Sequence, residues 1–210
     1  MNLWHIFKRS IGLWWDNWIG FLLCSLIWLF CQFLVIPAPP ATVALYAIAE
    51  KIVNNDPWDI RLFWQTLRKS FRVAWQWALP NGFLLLVLYL NFLFFNRASS
   101  ENLSYWRVAW FIIGLFWVMV NMLYWPFWHI QQQKKMSKTY ANCLRFISKH
   151  RWQSIFMAVI LTLIGLLALA IVAPLALGVA LWLAVVASEA VRISFNAAPK
   201  KPLPASEPTP

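Results

Sequence analysis

Four stretches of this chain contain no Asp, Glu, Lys or Arg: Asn17 to Ala49, Val73 to Asn96, Val108 to Gln133 and Trp152 to Ser188. A helix that crosses a bilayer needs roughly 20 such residues. The first and last stretches run to 33 and 37 residues, and proline interrupts each, at Pro37 to Pro40 and at Pro174. Each is therefore expected to fold back as two apolar segments. The expected fold class is all-α, a polytopic membrane helix bundle of about six apolar segments with amphipathic helices on its cytoplasmic face. Composition agrees, with 61% hydrophobic and 12% charged residues, where soluble domains carry about a quarter charged. A single transmembrane domain over residues 1–195 and a flexible, proline-rich cytoplasmic tail over 196–210 account for the chain.

The cations orient the segments. If Lys8 and Arg9 are cytoplasmic and the six segments alternate, 16 of the 18 cations fall on the cytoplasmic side and only Arg97 and Arg107 fall outside. That asymmetry is the positive-inside rule, and it places both termini in the cytoplasm. The net charge of +11 flanks apolar spans, so anionic lipid headgroups are the expected partner and nucleic acid is not.

The stretch from Ile36 to Trp77 is the piece around which the other helices are expected to pack. Pro37, Pro39 and Pro40 predict an extended turn, followed by a helix over Ala41 to Asn54. Its 14 residues cover only about 21 Å, too short to span comfortably alone, so either the proline turn dips into the membrane, shielded by other helices, or the bilayer thins locally, and the first is expected. Asp56 and Pro57 predict a helix start, and an amphipathic helix over about 57–77 follows. Its apolar face holds Ile60, Phe63, Trp64, Leu67, Phe71, Ala74 and Trp75; its polar face holds Arg61, Gln65, Arg68, Lys69, Arg72 and Gln76. The chain should then turn at Leu79 to Gly82 into the third segment.

Two further amphipathic helices are expected, over about 1–15, with Leu3, Trp4, Phe7, Ile11 and Trp14 on one face, and over about 137–151. The last carries Arg145, Lys149 and Arg151. An offset of 77 residues aligns it with the earlier basic helix through Leu67 and Leu144, Arg68 and Arg145, Trp75 and Trp152, and Gln76 and Gln153. Four matches make a weak internal repeat. Surface cations of this kind, with Phe63, Trp64 and Phe71, are candidates for contact with headgroups or a cytoplasmic partner.

Gln32, Asn91 and Asn121 are the candidate intramembrane polar contacts: Gln32 is expected to bond a neighbouring helix in preference to a substrate, Asn91, toward the outer end of its segment, another helix or headgroups, and all three are the candidates for a solute cavity. Pro126 predicts a kink, and Glu189 with Arg192 a local ion pair. Three cysteines and three histidines without ligand spacing predict no metal site and no cofactor. No GxSxG, HExxH, CxxC or phosphate-binding glycine loop occurs, and the seven acids form no pair within a span, so no enzyme is expected.

Pro40, Ala41, Thr42, Ala44, Leu45 and Tyr46, then Lys51, then Phe63, Leu67, Arg68, Phe71 and Arg72 resemble the signature of the YesL-like family, small bacterial integral membrane proteins. Members show a PAT-x-ALY segment followed by one of the type FF-x-x-FK-x-x-FK. The layout is similar over roughly residues 10–170, but only this stretch matches residue by residue, and Pro37, Ala38 and Pro39 replace the usual Thr-x-Gly. The resemblance implies a multi-pass protein of the bacterial inner membrane, often linked with carbohydrate-uptake ABC systems, and no defined activity. The expected function is that of an accessory or regulatory subunit of a membrane transport complex. Two alternatives stay open: a small-solute or lipid transporter in its own right, and a structural subunit of a large assembly that uses the 16 tryptophans as contact area.

Overall fold

The structure, a computed structural model, describes residues 3–97, 102–171 and 178–196. Part of the expected outer loop (98–101), the break expected at Pro174 and the proline-rich tail beyond Asn196 lie outside them. The described residues are all-helical: α1 (Leu3–Asp16), α2 (Trp18–Phe33), α3 (Ala38–Val53), α4 (Ile60–Lys69), α5 (Phe71–Arg97), α6 (Asn102–Ile130), α7 (Met136–Lys149), α8 (Arg151–Ile171) and α9 (Ala180–Asn196). Three of these, α5, α6 and α8, are long and apolar enough to cross a membrane. Taken together, α1 and α2 make a fourth, bent by 92° between them. Among the described residues the expected six segments are thus not confirmed, since α3 and the described α9, at 16 and 17 residues, fall short of the roughly 20 that a span needs.

Helix α3 is the hub. It packs against α2, α4, α5, α6 and α9. Ten of its 16 residues are buried, among them Ala41, Ala44, Ala47 and Ala49, whose small side chains let neighbouring backbones approach closely. The extended turn expected at Pro37, Pro39 and Pro40 is not formed. Pro39 and Pro40 instead lie inside the first turn of α3, where a missing N–H costs nothing because first-turn donors have no partner in the helix. The reversal itself is confined to Leu34–Pro37, with Val35 in the left-handed region at φ 58°.

At its far end α3 is closed by Asn55, at φ 56°. Its N–H donates to the Ile52 carbonyl (3.1 Å) and the N–H of Asp56 to that of Lys51 (2.9 Å), the paired bonds of a Schellman cap. Asp56 thus terminates α3 rather than starting the next helix. The N-cap of α4 is Asp59, whose carboxylate accepts from the Arg61 N–H. Between the two, the Trp58 ring lies on α2 over Gly20, with ring atoms 2.5 Å from where a Cβ would stand.

The amphipathic helix expected over 57–77 is shorter. It ends at Lys69, and after Ser70 the spanning helix α5 begins, so Trp75 and Trp77 belong to α5. Nor does the chain turn at Leu79 to Gly82, since α5 runs unbroken through Pro80. Helix α1 turns part of the expected face inward, with Leu3, Phe7 and Trp14 packed against the core. Ile6 and Ser10 are buried, while Trp4 (75% exposed) and Ile11 (54%) face outward.

Substituting Asn55 tests the cap at the end of α3. Asn55→Gly should keep or raise thermal stability in detergent, and Asn55→Val should lower it by about 1–2 kcal/mol, the cost of a β-branched residue in the left-handed region. Equal effects of the two would contradict the cap.

Candidate functional site

Polar chemistry gathers where α1, α3, α6 and α9 meet. Glu189 on α9 has no exposed surface. Arg192, three residues on, donates to both its oxygens at 2.9 and 3.0 Å, the local pair expected from the sequence. The sequence did not indicate Arg9 on α1, 180 residues away, whose Nη1 lies 2.6 Å from Glu189 Oε1. Its Nη2 donates to the carbonyl of Val53 at 2.9 Å, placing a cation at the C-terminus of α3, where the helix dipole favours one. Beside this network a pocket of about 250 Å³ is lined by Glu50, Asn54, Pro126, His129, Ser188 and Arg192 among others. His129 Nδ1 stands 3.7 Å from Glu50 Oε2, bringing α6 to α3 at the same end.

The residues of the α3 motif are internal ties. Pro40 is buried in the first turn. The Thr42 hydroxyl accepts from Trp28 Nε1 and donates to the Ala38 carbonyl, both at 3.1 Å. Tyr46 donates to the Met122 carbonyl at 3.4 Å. Met122 is four residues before Pro126, which lacks the N–H that would normally bond that carbonyl, so Tyr46 supplies the missing donor. Lys51 pairs with Asp56 at 3.1 Å beside the α3 cap.

Of the deep polar residues, Gln32 donates to the Ala38 carbonyl (3.4 Å), and Trp75 Nε1 bonds the Ile36 carbonyl (3.1 Å) on the same turn. Asn91 does not reach a neighbouring helix; its amide and that of Asn121 donate to Val87 and Trp117, four residues back on their own helices. Asn121 also borders a pocket of about 330 Å³ with Tyr46, Trp77, Asn81, Trp117 and Trp125. Its Oδ1, that of Asn81 and the three indole N–H groups are sealed within the packing and have no hydrogen-bond partner among the described residues.

The surface residues divide. Arg61, Arg68, Lys69 and Arg72 are exposed, as are Arg145, Lys149 and Arg151, and Trp64 and Phe71 are exposed by 44% and 42%. Phe63 is not a surface contact. It is fully buried against α3, because the apolar face of α4 is the face that docks. On α7 the buried side is Thr139, Cys143, Phe146 and Ile147, and burial pushes the Cys143 thiol up to about 12. All three cysteines are buried and unpaired. His150, between α7 and α8, is held below its usual pKa, first by burial and further by nearby positive charge including Lys149.

A family model described as "Protein of unknown function, DUF624" matches residues 5–92, which take in Arg9, the α3 motif and α4. Comparison with curated proteins and with solved structures returns no match.

A double-mutant cycle tests the pairing of Tyr46 with the proline-freed carbonyl. Tyr46→Phe should destabilise the protein by about 1 kcal/mol, and clearly less in a Pro126→Ala background, where the helix supplies its own N–H. Additive effects in thermal unfolding would show that Tyr46 does not serve that carbonyl.

Proposed function

We propose that the protein is a non-enzymatic integral membrane protein that works as an accessory subunit of a membrane transport complex, bound laterally through α5. The supporting observation is how little of α5 the chain itself covers. In the most apolar 18 residues of Phe71–Phe94 only 6% are buried, against 28% in the corresponding windows of α6 and α8. Phe83, Leu86, Leu90 and Phe94 lie along it more than half exposed. Lipid alone serves such a helix well enough, but a spanning helix that leans so lightly on its own bundle also leaves a full face for another chain. The similarity of the α3–α4 segment to the YesL-like family adds carbohydrate ABC uptake as the transport class and the bacterial inner membrane as the location.

Direct movement of a solute or lipid has one supporting feature, the pocket beside Asn121. Its polar atoms are turned into the packing rather than toward the space, so a solute there would meet mainly apolar wall.

Photo-crosslinking in native membranes tests the lateral contact. A photoreactive residue at Phe83 or Leu90 is expected to give an adduct with a transport-complex chain, and one at the buried position Leu181 none. Lipid adducts alone, or adducts only with a second copy of this chain, would contradict an accessory role.

A further inference from the structure

Two places in the fold repeat one arrangement. An amphipathic helix ends, a single residue interrupts it, and a spanning helix begins, at Ser70 between α4 and α5 and at His150 between α7 and α8. The interruptions pair identically. Ser70 N–H donates to the Thr66 carbonyl and the Ser70 carbonyl accepts from Ala74, both at 2.8 Å; His150 N–H donates to Phe146 and its carbonyl accepts from Ser154, both at 2.9 Å.

Each junction carries three exposed cations, Arg68, Lys69 and Arg72 at one and Arg145, Lys149 and Arg151 at the other. Among the described residues, none of the six is in an ion pair. Exposed aromatic rings accompany them, Trp64 and Phe71 at the first and Trp152, 67% exposed, at the second.

The height of these clusters is fixed by the helices that follow. The apolar stretch of α5 starts at Phe71 and that of α8 at Arg151, so each cluster stands at the edge of the hydrocarbon. Both stand on the same membrane face. Helix α5 runs antiparallel to α6, with Trp77 against Trp125 at one end and Leu88 beside Gly114 at the other, and α7 returns the chain from the end of α6 to the start of α8. At that depth the groups present are lipid phosphates, which guanidinium binds through paired hydrogen bonds, and aromatic rings prefer the same layer. We propose that the α4–α5 and α7–α8 junctions are two headgroup sites for anionic phospholipid of the surrounding bilayer. An acidic protein would have to reach the plane of the membrane and displace those phosphates to use the same cations.

The full-length protein is reconstituted into nanodiscs of mixed phosphatidylglycerol and phosphatidylcholine and re-extracted in neutral detergent, and the retained lipid is quantified by mass spectrometry. Wild type should retain phosphatidylglycerol severalfold over phosphatidylcholine. R68Q/K69Q/R72Q and R145Q/K149Q/R151Q should each lower that ratio, their combination should abolish it, and R97Q/R107Q should leave it unchanged. Circular dichroism and size-exclusion profiles identify variants that have not folded. For any such variant, washing wild type at about 1 M salt, where the screening length is about 3 Å, should strip the anionic lipid instead. The proposal is overturned if wild type shows no preference, if R97Q/R107Q lowers the ratio as much, or if the triple variants keep their lipid and lose an acidic co-purifying chain.

Discussion

An ionised carboxylate shut away from water must be held by cations, because an unpaired one costs several kcal/mol. Glu189 is a fully buried carboxyl held by two guanidinium groups, and one of them ties distant helices together. Arg192 comes from its own helix and holds nothing together. Arg9 comes from the other end of the chain, and by also binding the last turn of α3 it draws α1, α3 and α9 to one point. The same end brings Glu50 toward His129, so the polar groups of a mostly apolar molecule are gathered where the short hub helix stops.

Helix α3 explains much of the rest. It is too short to span and is enclosed by neighbours, so the backbone broken at its entrance must be satisfied from side chains. Gln32 and Trp75 bond the carbonyls of the turn, and Trp28 bonds Thr42 in the first turn. Tyr46 performs the same service for α6, where Pro126 has freed a carbonyl. The motif that resembles the YesL-like signature is in this light a set of hydrogen-bond donors and small residues fitted to a crowded helix. The model of an uncharacterised family matches across this region.

Much of this was legible in the sequence, and the misses have physical causes. Charge-free runs marked the long helices, and periodicity separated the apolar face of α4 from its cations, but it could not show that Phe63 on that face docks on α3 instead of meeting headgroups or a partner. Length alone showed that the second segment is too short to span by itself, but not that it is enclosed by five neighbouring helices. The described helices do not bear out a count of six, because a charge-free run reports polarity and not helix length and cannot tell a span from a buried hub such as α3. Asp56 and Pro57 imitate a helix start, but Asn55 in the left-handed region commits Asp56 to the preceding cap. The break at Ser70 left no mark in an apolar pattern that continues across it. Arg9 could not have been paired with Glu189 by any local rule, since only the packing of α1 on α9 brings them together.

The first helix of the chain is fastened to α9 and to the end of α3 through Arg9, while α5 is lightly covered along one side. The Arg9–Glu189 contact carries that fastening. It is tested most directly by a double-mutant cycle on Arg9 and Glu189, with Arg9→Met, Glu189→Gln and the pair compared by thermal unfolding in detergent. A coupling of about 2–3 kcal/mol, with the double variant more stable than the sum of the single losses implies, is the predicted result. Additive losses would mean that Arg9 does not hold Glu189, and that α1 is not fastened to the bundle in this way.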